Sequence, residues 1–166
     1  MSINTLRAVV AGHIIDRAID TSRLLTELGV PHALIGGLAV GMHGHARATK
    51  DVGFLVGDEA YLTTTPLLVF REELGRIIQV GVTDLLAVDD RYAALTDELS
   101  IPGDGDIPVI SVGVLVVMKL EANRPQDRAD IYRLMTLSQD VGGIISYVKR
   151  VGPELTPRLM ELISGL

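Results

Sequence analysis

Paired glycines and a nearby aspartate form the stretch of this chain whose residue types are best suited to chemistry. Gly36 and Gly37 follow one apolar segment and Asp51 precedes another, so we expect two strands with a sharp turn after the first. The turn leads into a short helix, and the first N–H groups of a helix lack internal partners and attract anions. The pattern therefore predicts a phosphate-binding turn, with Asp51 beside it at the entrance of the second strand.

Alternation along the second strand decides which side chains share a face with Asp51. Asp51, Gly53 and Leu55 lie on one face, because successive strand residues point to opposite sides. Arg47 and Thr49 alternate in the same way just before the strand, so we expect their side chains to project together. Arg47 then either contacts a phosphate or forms a salt bridge with a nearby carboxylate.

This stretch resembles the nucleotidyltransferase superfamily related to DNA polymerase beta. It is most similar to the minimal and abortive-infection toxin nucleotidyltransferases of bacteria and archaea, in which Gly-Gly-x-Ala, His-Gly, Arg-x-Thr and Asp-x-Asp follow one another. The resemblance covers roughly residues 30–134 and implies an α+β nucleotidyltransferase fold: a small mixed β-sheet with helices packed on one face, plus C-terminal helices. The matching positions are Gly36-Gly37-Leu38-Ala39, His43-Gly44, Arg47-Ala48-Thr49 and Asp51-Val52-Gly53.

The resemblance also points to a second aspartate further along the chain. In the family, another metal-binding carboxylate stands on a later strand, in an apolar context such as Val-Asp-Leu-Leu. The run Val82-Thr83-Asp84-Leu85-Leu86 matches that context, so the resemblance implies that Asp84 binds metal together with Asp51. The alternatives are an edge-strand aspartate or a partner of Arg47 or Arg76, because a buried carboxylate needs a partner.

Position 53 departs from the family pattern. The second aspartate of Asp-x-Asp contacts both metal ions in the family, and Gly53 stands in its place here, as a natural loss or an engineered inactivating change. Two magnesium ions ~3.5–4 Å apart repel one another, and Asp51 with Asp84 offers only two negative charges to hold them. We therefore expect little or no nucleotidyl transfer, and we expect Gly53→Asp to raise it.

The resemblance implies a specific reaction and its participants. An intact site transfers a nucleoside monophosphate from a nucleoside triphosphate to a hydroxyl of RNA or protein, with Mg²⁺ as cofactor, and the toxin branch adds an antitoxin partner. The alternative is a protein of this fold that has lost catalysis and binds a nucleotide or a partner chain. The resemblance implies that Asp51 and Asp84 are catalytic, and that the nucleotide is bound by Gly36, Gly37, Arg47, Thr49 and Lys119.

Lys119 has two alternative roles. It lies in a segment that matches a family helix reading Leu-x-x-x-Lys-Leu-x-Ala-x-Arg-x-x-Asp-x-x-Asp-Ile. It either reaches the nucleotide or Asp51, or it pairs with Asp127 or Asp130 and joins two helices. We expect the two aspartates to have that structural role.

Apolar spacing and chain breakers predict the elements around these residues within a single domain, residues 1–166. Helices are expected over 4–28, 38–43, 59–65, 89–99, 126–137, 138–151 and 153–164. The β-branched residues of 112–120 by themselves favour a continued strand, but the resemblance implies a helix over 113–123, and we follow the resemblance. Strands are expected over 32–35, 51–56, 67–70, 76–88 and 107–111, with loops over 71–75 and 101–106.

Composition narrows the function classes. The chain has 166 residues, 48% of them hydrophobic, which suits one domain with a substantial core. A net charge of −6 and 4% aromatic residues argue against broad nucleic-acid binding. The mean hydropathy of +0.35 favours a homo-oligomer or a partner protein.

The absence of cysteine excludes disulfides and thiolate metal sites and fits a cytoplasmic protein. No membrane interaction is expected, because the longest apolar run, Val112 to Met118, is far shorter than the ~20 residues that span a bilayer. His43 and His45 are metal ligands only if a third ligand joins them, and otherwise surface or packing residues. Asp104 and Asp106 lack the spacing of a calcium loop and are expected in a solvated turn.

Overall fold

The computed structural model describes residues 2–63, 69–79, 83–87, 98–103 and 106–166. The chain divides into two compact units, one formed by Met1–Met42 with Ala46–Ile110 and the other by His43–His45 with Ser111–Leu166. The first contains a 3-10 helix (Ile3–Ala8), α1 (Gly12–Glu27), β1 (His32–Ile35), α2 (Gly36–Met42), β2 (Val52–Val56), a 3-10 helix (Asp58–Ala60), β3 (Tyr61–Thr63), β4 (Val69–Phe70), α3 (Glu72–Gln79) and β5 (Thr83–Ala87). The second contains α4 (Val112–Ala122), α5 (Pro125–Leu137), α6 (Val141–Val151), a 3-10 helix (Pro153–Leu155) and α7 (Thr156–Ile163).

A three-stranded mixed sheet is the centre of the first unit. Strand β2 lies in the middle, antiparallel to β1 and parallel to β5. The register pairs Ile35 with Gly53 across the first interface and Gly53 with Asp84 across the second. Strands β3 and β4 form a separate antiparallel pair. The small mixed sheet and the helices around it confirm the predicted α+β class.

One face of this sheet carries the hydrophobic core of the first unit. Val52, Phe54 and Val56 alternate toward this face, and each is at most 1% exposed. They belong to one cluster with apolar residues of α1, α2 and the first 3-10 helix, including Ile14, Ile15, Ala18, Leu38 and Leu6. The other face holds Gly53 and the exposed Asp84, but it also holds the buried apolar residues Ala33, Ile35 and Leu55, so it is polar only at the end where Asp84 lies.

The N-terminal segment forms two helices where one over residues 4–28 was predicted. A 3-10 helix ends at Ala8 and α1 begins at Gly12. The intervening Val10 is 3% exposed and belongs to the core cluster. The backbone leaves the helical conformation at Val9, with a φ of −126°, and at Ala11, with a ψ of 135°, so one continuous helix does not form.

The predictions for residues 59–88 are partly wrong. The helix expected over 59–65 is a 3-10 turn followed by β3, and residues 64–68 lie outside the described residues. The expected loop over 71–75 and the first part of the strand over 76–88 form α3 instead. Glu72 and Glu73 favour a helix start through the helix dipole, and Leu74 and Ile77 share a helix face toward the core.

Strand β5, over Thr83–Ala87, confirms the later part of the predicted strand, while residues 80–82 and 88–97 lie outside the description. The helix expected over 89–99 therefore falls almost wholly outside it, as does Asp104. Residues 107–111 were expected to form a strand, but only Val109 makes a bridge, to Leu34. Asp106 is exposed in an irregular segment, as expected for a solvated turn.

The helices of the second unit follow the predicted boundaries closely. Helix α4 ends at Ala122, and the next residue, Asn123, has a left-handed φ of 51°, a conformation that asparagine tolerates and that stops a helix. Helix α5 then begins at Pro125, a favourable first residue. Among the described residues, no helix has the length and apolarity needed to cross a membrane.

Candidate functional site

The glycine turn lies where the sequence predicts it. The chain leaves β1 at Ile35 and enters α2 at Gly36, whose φ of +71° is a conformation that other residues adopt only with strain. The turn therefore depends on glycine at position 36.

Gly37 is packed against the two polar residues expected beside it. A Cβ atom added at Gly37 would lie 2.8 Å from Thr49 Oγ1 and 3.4 Å from Arg47 Nη1. Arg47 Nη1 donates a hydrogen bond to the Ala48 carbonyl at 3.1 Å, and Thr49 Oγ1 donates a long one to the Asp51 carbonyl at 3.4 Å. The structure thus brings Gly37, Arg47 and Thr49 together and links them to the backbone of Asp51.

Asp51 and Asp84 lie at the same end of the sheet. Asp84 is paired with Gly53 in the register of β2 and β5, and Asp51 is two residues before Gly53, directly outside β2. Strand spacing and rise place the two Cα atoms about 8 Å apart. Both residues are exposed, whereas their neighbours Val52 and Thr83 are buried. Alternation therefore directs both carboxylates to the same face of the sheet.

Gly53 itself faces an apolar side chain. Ile35 is its partner on β1, and a Cβ added at Gly53 would lie 2.9 Å from Ile35 Cγ1 and 3.4 Å from Ile35 Cδ1. Contacts below 3.0 Å force a shift of the neighbouring atoms, and Ile35 is only 5% exposed. The position that holds a carboxylate in the family pattern is therefore partly filled by Ile35.

The residues at this end of the sheet do not fit a pair of magnesium ions. Within the part of the chain that the structure describes, no group of three or more His, Cys, Asp or Glu side chains is arranged to hold a metal ion. Asp51 and Asp84 alone supply two oxygen-bearing ligands, and such a pair needs more carboxylate charge. Among the described residues, His43 and His45 likewise lack a third side chain with which they could hold a metal ion.

Of the two roles predicted for Lys119, the structure shows the second, in which it pairs with Asp127 and Asp130. Its Nζ donates hydrogen bonds to Asp127 Oδ1 at 3.0 Å and Asp130 Oδ2 at 2.7 Å, and none of the three side chains is more than 6% exposed. Gln126 and Arg124 donate to the remaining carboxylate oxygens, at 3.1 Å to Asp130 Oδ1 and 2.7 Å to Asp127 Oδ2. Lys119 therefore joins α4 to α5 inside a satisfied ionic cluster.

The positive charges and hydrogen bonds in this cluster favour the ionised form of the Asp127 side chain. Burial alone raises the pKa of Asp127. The hydrogen bonds from Arg124 and Lys119, together with their positive charges, lower it by more than burial raises it, so the pKa lies below its ordinary value. Asp127 also accepts from the Arg124 backbone N–H at 3.3 Å, so it caps α5 as well. The predicted helix-locking role of the aspartates is confirmed.

A buried Ser–His pair lies elsewhere in the first unit and was not predicted. His32 Nδ1 is 2.8 Å from the Val30 carbonyl, which can only accept, so Nδ1 carries the proton and Nε2 accepts from Ser22 Oγ at 2.7 Å. Burial lowers the pKa of His32, although the Val30 carbonyl opposes that shift. The pair is a neutral tie between α1 and β1, and its only sequence signal is a histidine in an otherwise apolar strand.

Comparison with known proteins does not identify a family. No family model matches the sequence, and no curated protein is similar to it. The assignment to the nucleotidyltransferases therefore stays a prediction that rests on the matched residues and their geometry.

Proposed function

We propose that this chain is a nucleotidyltransferase-fold protein that binds a nucleoside triphosphate at the glycine turn. It transfers the nucleoside monophosphate to an acceptor poorly or not at all. The observation that carries this proposal is the contact between Gly53 and Ile35. Because a side chain at position 53 would lie 2.9 Å from Ile35 Cγ1, this end of the sheet has two carboxylates and little room for a third. Binding without efficient transfer is the function that best fits this arrangement.

Phosphate binding is supported by the cluster around Gly37. A guanidinium, a hydroxyl and an accessible glycine backbone are three groups that hold phosphate oxygens, and here they converge at one turn. Arg47 supplies the positive charge, and Gly37 lets the Arg47 and Thr49 side chains lie against the turn because it has no side chain of its own. In this proposal Asp51 and Asp84 hold one magnesium ion that arrives with the nucleotide, whose phosphates supply further oxygen ligands.

A second candidate is an active enzyme. It is favoured by one observation, the exposure of both Asp51 and Asp84 at the same end of the sheet. Such an enzyme would transfer a nucleoside monophosphate to the hydroxyl of an RNA end or a protein and release pyrophosphate. Its partners would then include the acceptor and an antitoxin protein.

Assembly and location belong to the same proposal. The positive mean hydropathy supports a homo-oligomer or a complex with a partner protein. A cytoplasmic location would provide the nucleoside triphosphates and magnesium on which the proposed site depends.

Isothermal titration calorimetry with magnesium and each nucleoside triphosphate tests the proposal. We expect one saturable binding event that weakens at least tenfold in Arg47→Ala, because the guanidinium is the cation next to the turn. Arg128→Ala is the matched control, since Arg128 is an exposed arginine on α5 that bonds Asn123. Absence of binding for all four nucleotides, or equal binding by Arg47→Ala, would contradict the proposal.

A further inference from the structure

Three residues lie in a row across the sheet on the face that carries the two aspartates. Ile35 of β1 is paired with Gly53 of β2, which is paired with Asp84 of β5. Directly paired residues point to the same side, so the Ile35 side chain leans into the space beside Gly53. Its Cγ1 is the nearest atom to the missing Cβ, at 2.9 Å.

We infer that Ile35 determines which side chains position 53 accepts, and so limits this end of the sheet to two carboxylates and one divalent cation. The inference rests on the proposed function, because it concerns the same residues. In this view Ile35 and Gly53 form a matched pair, in which the larger residue fills the space that the smaller one leaves. A carboxylate at position 53 is accommodated only when Ile35 is made smaller or less branched.

The nature of the close atom makes this contact restrictive. Ile35 is branched at Cβ, which stiffens its first torsion angle, and Cγ1 is close to the backbone rather than at the end of a flexible chain. Ile35 is also 5% exposed, so a new rotamer must displace other packed atoms. By contrast, a Cβ at Gly57 would meet Glu59 Oε2, the far end of an exposed side chain that can move away.

A double-mutant cycle tests the packing part of the inference. The cycle comprises Gly53→Ala, Ile35→Ala and the double variant, with Gly57→Ala as the control, and thermal unfolding is measured without nucleotide or metal. We expect Gly53→Ala to lower the midpoint by several degrees in the natural background and not at all beside Ile35→Ala. The control should remain near the natural midpoint.

Equal losses from Gly53→Ala in both backgrounds, or no loss in the natural one, would overturn the inference. Ile35→Leu provides a second background, because it keeps the volume but moves the branch away from Cβ. Since the cycle contains no nucleotide, its failure is distinguishable from failure of nucleotide binding.

Metal titration tests the cation part. Mn²⁺ binding is followed by electron paramagnetic resonance in the natural chain, in Gly53→Asp, in Ile35→Ala, and in the Ile35→Ala/Gly53→Asp double variant. We expect at least tenfold tighter Mn²⁺ binding, or a second ion per chain, only in the double variant. The inference is wrong if Gly53→Asp alone reaches the same affinity, or if the double variant binds no more Mn²⁺ than Ile35→Ala.

Discussion

At the scale of single residues, two glycines are required for different reasons. Gly36 needs its positive φ, whereas Gly37 needs to have no side chain, because Thr49 and Arg47 occupy the adjacent space. Gly53 belongs to the second kind, with Ile35 as its neighbour. The chemistry of this end of the sheet therefore depends on glycines without side chains at positions 37 and 53 as well as on the charged groups.

Gly37→Val should weaken nucleotide binding more than folding. A Cβ 2.8 Å from Thr49 Oγ1 pushes away both Thr49 and Arg47, which are only partly buried and can move at modest cost to stability. We expect at least a tenfold loss of affinity in calorimetry and an unfolding loss of about 1–3 kcal/mol in urea. Gly75→Ala, with no atom within 4 Å of its new Cβ, is the control and should bind normally. Normal binding by a folded Gly37→Val would remove the phosphate-binding assignment.

Transfer activity should respond to positions 35 and 53 together, and not to Gly53→Asp alone as the sequence predicted, because Ile35 fills the space of the new side chain. In the Ile35→Ala background, Gly53→Asp adds a third carboxylate, and each ~1.4 kcal/mol of transition-state stabilisation is tenfold in rate. We expect incorporation of labelled nucleotide into an RNA and protein extract to rise by orders of magnitude over Ile35→Ala alone. The Asp84→Ala derivative of the double variant should lose that gain, and a gain that survives this change would exclude Asp84 from the site.

At the scale of elements, two buried polar ties hold neighbouring elements together. Ser22 and His32 join α1 to β1, and Lys119 with Asp127 and Asp130 joins α4 to α5. Each tie consists of groups whose burial is tolerated only because their partners are present. Both should therefore affect stability in a pH-dependent way.

The His32 tie should make the protein less stable as the pH falls below about 6.5. Burial lowers the pKa of His32 in the folded state, so the unfolded chain takes up a proton near the ordinary pKa of about 6.5 and the folded chain does so only at lower pH. The free energy of unfolding should then fall by up to about 1.4 kcal/mol per pH unit. His32→Gln should abolish this slope, whereas exposed His13→Gln should keep it. Urea unfolding between pH 7.5 and 5 measures the slope, and an unchanged slope in His32→Gln would assign it to other groups.

The Lys119 cluster should be costly to break. Lys119→Met leaves two buried carboxylates without their shared cation, and such losses typically cost about 3–5 kcal/mol. Adding Asp130→Asn should restore part of the stability by removing one of those charges. Arg128→Met, at an exposed position on α5, is the control and should change stability by less than about 0.5 kcal/mol. A Lys119→Met chain as stable as this control in urea would show that the cluster does not stabilise the fold.

The same cluster adds a second acid-sensitive range at lower pH. The pKa of Asp127 is lowered in the folded state, so its contribution is fully present above the ordinary value of about 3.9 and is lost as the pH falls through the folded pKa. We therefore expect the free energy of unfolding to fall in two separate pH ranges. The range below about pH 6.5 belongs to His32, and the range below about pH 4 belongs to Asp127.

At the scale of the whole molecule, local patterns predicted what depends on local chemistry. The paired glycines, the alternating run after Asp51, Pro125 and the apolar helix spacing near the C-terminus predicted the turn, β2 and the helices after residue 125. Helix α4 was expected only from the family resemblance, because its β-branched residues by themselves favour a strand. Residues 72–79 were predicted wrongly because their apolar residues fit both a strand and a helix, and the deciding contact of Leu74 with the core is long-range. The pairing of Ile35 with Gly53 depends on strand register, which no residue pattern in the chain specifies.

The most direct test of the central claim is the chemical fate of a bound nucleotide. The full chain is dialysed to equilibrium with magnesium, an RNA and protein extract and a nucleoside triphosphate labelled at the α-phosphate, and the retained label is separated by chromatography. We predict that the protein retains label as intact nucleoside triphosphate, and that Arg47→Ala retains at least tenfold less. Label covalently joined to RNA or protein, with pyrophosphate released and both lost in Asp84→Ala, would contradict the account, as would retention of no nucleotide at all.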